Sequence, residues 1–144
     1  MSVRSGTPQF VSVAAAATGG ASGRTIPLGT GLVLATLNTM LATWVATATV
    51  GSRIPIIRVQ APVGPNNPTL VTLWQVAAAA ITAGQTSILA VGAGVPASTV
   101  SSPLMQFLTL PFDLPLPLNA QVQIFDNANI DAADTVALVA NMAV

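Results

Sequence analysis

Cysteine, lysine, glutamate, histidine and tyrosine are all absent from this sequence, and its whole ionic inventory is four Arg and four Asp in 144 residues. Each absence removes a class of function. General acid–base chemistry at neutral pH draws on His, Lys, Tyr, Cys or tuned carboxylates, and zinc or other borderline metals want His and Cys. Ser and Thr are plentiful, but no His or Lys stands ready as an adjacent base, so a nucleophilic triad is not available. Without Cys there is neither a disulfide framework nor thiol redox chemistry. An enzyme is therefore not expected, and neither is a cofactor.

Charge is scarce as well. Charged residues make up 6% of the chain and hydrophobic residues 52%, where an average soluble domain carries roughly 25% charged residues. A lone monomer normally disperses through a mixed charged surface, and a net charge near zero favours association. Much of this surface must then be covered by something else, either lipid or protein. The charges are also segregated: Arg4, Arg24, Arg53 and Arg58 precede position 59, and Asp113, Asp126, Asp131 and Asp134 follow position 112. That order fits a subunit with a basic and an acidic end. It fits equally well a fold that pairs the two blocks internally. Four scattered Arg leave too small an electrostatic footprint for nucleic acid, which is not an expected partner.

Two windows, Thr25 to Ser52 and Val71 to Val95, are uncharged enough and long enough to suggest a membrane span, apart from their texture. The first holds Pro27, Gly29, Gly31, Asn38 and seven Thr, and the second holds Gln75, Gly84, Gln85, Gly92 and Gly94. No Lys/Arg cluster sets an orientation, and only Trp44 and Trp74 could form an interfacial belt. A small outer-membrane barrel would want a longer chain and aromatic girdles. A membrane partner is not expected. The opening stretch, Phe10 to Ala17 followed by Thr18-Gly-Gly-Ala-Ser-Gly23, faintly mimics a secretory signal but reads as an extended Ala/Gly/Ser arm over residues 1–24 that orders on a neighbour.

Beyond the arm, period-2 alternation dominates. Met40, Ala42, Trp44, Ala46, Ala48 and Val50 share one face of a strand; Arg53 to Gln60, Thr69 to Ile81, Thr86 to Val91, Leu104 to Leu110, Gln121 to Phe125 and Thr135 to Val144 follow. Ala61 to Pro68 and Gly92 to Pro103 read as loops, Pro111 to Pro117 as a proline-punctuated edge, and Thr82 to Gln85 as a hairpin turn. Seven or eight short strands with turns between them indicate a single all-β domain over residues 25–144, an antiparallel β-sandwich of jelly-roll-like kind. Many strands carry small or apolar residues on both faces, more than one core needs, so a neighbour is expected to cover the outside.

Asp126-Asn-Ala-Asn-Ile-Asp-Ala-Ala-Asp134 places oxygen donors suited to Ca²⁺ within nine residues. It lacks the central Gly and closing Glu of an EF-hand loop, and Asp and Asn dominate ordinary turns. A capped loop is the expectation, with Asp126, Asp131 and Asp134 the only candidates for a cation. Arg4 and Arg24 are expected to form ion pairs with an acidic partner surface. Phe10, Trp44 and Trp74 are the aromatic candidates for core or interface anchors.

Four phrases carry a resemblance: Gly51-Ser-Arg53-Ile-Pro-Ile-Ile, the Trp74 to Gln85 strand and turn, Leu110-Pro-Phe-Asp-Leu-Pro-Leu-Pro-Leu118, and Asp126 to Thr135. Over residues 40–144 the chain resembles small β-sandwich proteins of tailed-bacteriophage virions, and most of all the capsid decoration, or cement, proteins. The resemblance implies a trimer or other small oligomer on the outer capsid surface, bound to the major capsid protein and stabilising the assembled shell. It brings no catalytic residues. The alternatives are a fibre, tail or host-binding β-module of a virion, with loops 61–68 and 111–117 gathered at one tip, or a small membrane-associated protein.

Overall fold

Alternation of burial along each strand assigns its faces. In β3 (Ala35–Val45), Met40, Ala42 and Trp44 are buried while Thr39, Leu41 and Val45 are exposed. In β11 (Thr135–Ala143), Val136, Leu138, Ala140 and Met142 are buried, and Leu104, Gln106, Leu108 and Leu110 repeat the pattern in β8 (Leu104–Leu110). Such a half-apolar strand is stable only against a second layer. The structure, a computed structural model, describes residues 8–28, 35–94, 96–101 and 104–143, and it supplies that layer.

The chain is an all-β, two-sheet sandwich. The larger sheet runs β1 (Pro8–Ala17), β11, β3, β6 (Thr86–Ala93), β8 and β7 (Ser98–Ser101), with β9 (Leu114–Leu116) also paired to β3. The smaller sheet runs β2 (Arg24–Pro27), β10 (Gln121–Asp126), β4 (Pro55–Gly64) and β5 (Asn67–Ala77). One apolar core lies between them, with Trp44, Leu37, Ile57, Leu89, Ile124 and Leu138 among its fully buried side chains. Removing a side chain as large as Trp44 from such a core costs about 3–5 kcal/mol. Among the described residues, all strand pairs are antiparallel except β6 with β8, which is parallel. The chain can make that pair because β7 fills the crossover and pairs with the far side of β8. Residues 92–103, expected as loop, thus contain an edge strand.

Three further expectations are corrected. Residues 8–17 are not a separate arm: they pair along β11 as the edge strand of the larger sheet, with Val11 and Val13 packed on the core. Composition suggested an extended arm, but the Phe10-Val-Ser-Val13 alternation gave the sheet an inward face to bury. Residues 61–68 are not a loop but the ends of a hairpin, with Pro62 opposite Leu70, Gly64 opposite Asn67 and a two-residue Pro65-Asn66 turn. Pro62 is tolerated because β10 pairs with β4 only as far as Gln60, so past that point β4 needs no donor on that side. Finally, β5 ends at Ala77 rather than Ile81. The Gln106 side chain takes the place of a strand there, accepting from Ala79 N at 2.5 Å and donating to Ala79 O at 2.9 Å.

Candidate functional site

Strand polarity and loop placement give the sandwich two unlike ends. At one end, Arg and Asp side chains lock the 46–54 turn to the 126–134 loop, on which the 18–23 turn also docks. Arg53 and Asp134 are both fully buried and form an ion pair, Nε to Oδ2 at 2.8 Å. The remaining guanidinium hydrogens go to Thr49 O at 2.8 Å, Gly51 O at 2.7 Å, and Thr47 O and Oγ1 at 3.3 and 3.1 Å. Asp134 also accepts from Thr47 N at 2.8 Å and from Trp44 Nε1 at 3.4 Å. A buried pair is tolerable only with this degree of satisfaction.

The other two carboxylates of the loop are spent in the same way. Asp126, fully buried, accepts from the backbone N–H groups of Ile54, Ala128 and Ile130 at 2.8–2.9 Å. Asp131 accepts from Thr47 Oγ1 at 2.5 Å, Thr49 Oγ1 at 2.6 Å and Ala133 N at 2.8 Å. These hydroxyl and amide donors, Thr47 first, hold the Asp131 carboxyl down at about 2, below its ordinary 3.8. The three Asp expected as cation candidates are therefore engaged as caps and braces, and no cluster of metal-ligating side chains is present among the described residues. The 18–23 turn docks on this loop through Ala21 N to Asn129 Oδ1 at 2.9 Å and Asp126 N to Gly20 O at 3.0 Å. Gly20 must be glycine: its φ is +63°, and a Cβ would collide with Asn129.

The expected partner-binding residues divide. Arg4 lies outside the described residues. Arg24 Nη1 donates to Ala14 O at 2.7 Å and to Val136 O, so it clamps β1 to β11 from the other sheet. The Ala14 carbonyl sits in the β1 bulge between Val13 and Ala16, where a ladder leaves backbone groups unpaired. Trp44 is wholly interior, and Trp74 is half-buried against the core on β5. Among the described members of this set, Phe10 alone is openly exposed, at 66%.

Phe10 leads to a surface that no single motif announced. The larger sheet contains no charged residue in any of its strands. On its outer face Ser12, Val139, Leu41, Ala90 and Phe107 stand opposite one another across β1, β11, β3, β6 and β8. The next row is Phe10, Asn141, Thr39, Gly92 and Thr109. Between these rows runs a groove of about 450 Å³, flanked by Phe10 and Phe107 and floored at Gly92, which has no side chain to fill it. Leu41 and Val139, which line it, remain 46% and 41% exposed, and Val45, further along the same face of β3, is 42% exposed. Four strand spacings make this band roughly 19 Å wide. Chemically it can do one thing well, which is to bury apolar area against a complementary surface. Its signal in the sequence was the excess of apolar residues on both faces of the strands.

The opposite end of the sandwich gathers prolines. Pro62, Val63 and Pro65 of the β4–β5 hairpin line a small concavity with Pro117, Leu118 and Asn119, and Val63, Leu70 and Val71 are exposed on that hairpin. No helix among the described residues is long and apolar enough to cross a membrane. Comparison with protein-family models, curated proteins and solved structures finds no match to this chain.

Proposed function

We propose that this chain is a structural virion protein, a capsid decoration or cement protein that acts by binding and has no catalytic role. The observation that carries the reading is the charge-free outer face of the larger sheet with its apolar groove. A soluble monomer gains nothing by leaving Leu41, Val45, Val139 and Phe10 in water, whereas a shell subunit seated on a neighbour buries them. Each 1,000 Å² of apolar surface so removed contributes on the order of 25 kcal/mol before association costs. The internal use of Asp126, Asp131, Asp134 and Arg53 supports the same reading, because a cement protein needs a rigid body and no reactive groups.

Quantitative mass spectrometry of purified particles encoding this chain tests the proposal. Many tens of copies per particle, removable by protease from intact particles, is the expected result. Absence from the particles refutes it. A second reading, a fibre, tail or host-binding module, is favoured by the meeting of the hairpin with Pro117–Asn119 at one end. That reading predicts a few copies confined to the tail.

A further inference from the structure

Among the described residues, the terminal strands of the two sheets are not equally protected. In the larger sheet β7 is only four residues long, and in the smaller sheet β2 is equally short and ends in Pro27. The β5 edge carries Pro68 and two register shifts against β4. Short strands, prolines and irregular pairing are the devices that keep edges from recruiting another strand. β1 carries Pro8 at its start and a bulge after Val13, and only the stretch between them, Gln9–Val13, has none of these devices. Between Pro8 and the bulge that follows Val13, β1 is regular, uncharged and paired only with β11 among the described residues.

We propose that β1 pairs antiparallel with β1 of a second copy, joining two larger sheets across a two-fold axis at Val11. The occupant is a second copy because the edge is self-compatible: no charge on β1 or on the neighbouring outer face repels its like. The axis falls at Val11 because Gln9–Val13 is the stretch left between a proline without an N–H and the bulge, and Val11 is its middle. This register sets two half-buried Val11 side chains opposite each other at the rim of the two cores. It also lays Phe10, 66% exposed, beside the partner's Ser12 on the outer face. The two apolar grooves then become one continuous surface. The inference rests on β1 alone and stands whether or not the virion reading does.

The chain has no cysteine, so Val11→Cys gives a clean test, with opposed Cα atoms in an antiparallel pair within disulfide reach. Light scattering on a size-exclusion column should give twice the 14.4 kDa of one chain, and mild oxidation should convert Val11→Cys to a covalent dimer. Thr99→Cys, on the β7 edge, should stay uncrosslinked. Ser12→Lys should raise the dimer dissociation constant by at least about tenfold, while Thr99→Lys should leave it unchanged. Circular dichroism matching the parent shows that each variant folds. A monomer at all concentrations, a mass of three chains, or crosslinking through Thr99→Cys but not Val11→Cys would overturn the proposal.

Discussion

The two sheets differ in the middle of their outward surfaces. On the smaller sheet two outer rows are polar, Gln123 beside Arg58 and Gln75 and Gln121 beside Gln60, while Val63, Leu70 and Val71 are exposed toward its hairpin end. Arg58 donates to Gln123 Oε1 at 2.7 Å and lies 4.9 Å from the Phe125 ring centroid, and Gln60 donates to Thr72 and accepts from Gln121. The larger sheet answers with Leu41, Val139, Ala90 and Phe107 and no charge at all. Both sheets contribute inner faces to one core, so core packing cannot be the cause of the difference outside. A surface satisfied by its own hydrogen bonds has little to gain from a partner, and an apolar one has much. Among the described residues, Arg24, Arg53, Asp126, Asp131 and Asp134 are placed where they fix the body, away from the uncharged outer face.

That division can be broken at its structural side first. Arg53→Ala leaves the Asp134 carboxylate buried without its cation, and should cost about 3–5 kcal/mol in urea unfolding. A loss below 1 kcal/mol would mean that the lock end is ornamental. Asp126→Ala strips the acceptor from three backbone N–H groups and should cost about 2–3 kcal/mol by the same measurement.

The pH dependence is a finer probe. Asp131 has its folded carboxyl lowered to about 2 from 3.8, so its contribution is fully present above pH 4 and fades as pH falls through the folded value toward 2. Unfolding followed from pH 5 to pH 2 should show the parent losing stability over that window, and Asp131→Asn should flatten the slope. An unchanged slope would show that Thr47 and Thr49 do not hold the carboxylate in solution. The smallest stability effect belongs to the uncharged sheet: Leu41→Lys, on the exposed outer face, should shift unfolding by less than about 1 kcal/mol. The same variant should lose attachment to particles.

The sequence disclosed these regions to different depths. The β3 and β11 alternations were readable because a half-buried strand writes its inward face at every second residue, as Met40-x-Ala42-x-Trp44 does. The excess of apolar residues on outward positions was readable too, and it pointed to a covered face. The Arg53–Asp134 pair was not: the two residues are 81 positions apart, and nothing local distinguishes internal pairing from a partner's ion pair. Strand β1 hid behind an Ala-rich composition, and its ladder with β11 is a tertiary fact. The β4–β5 hairpin hid behind three prolines, which deny a ladder only where a donor is needed. Gln106 ends β5 from another strand altogether.

Photochemical carbene footprinting of the protein, free and within purified particles, tests the central claim most directly. Binding through the uncharged sheet predicts that Leu41, Val139 and Phe107 lose labelling on assembly while Arg58, Gln75 and Gln123 keep theirs. Protection of the glutamine and arginine rows, with Leu41 and Val139 still labelled, would contradict it.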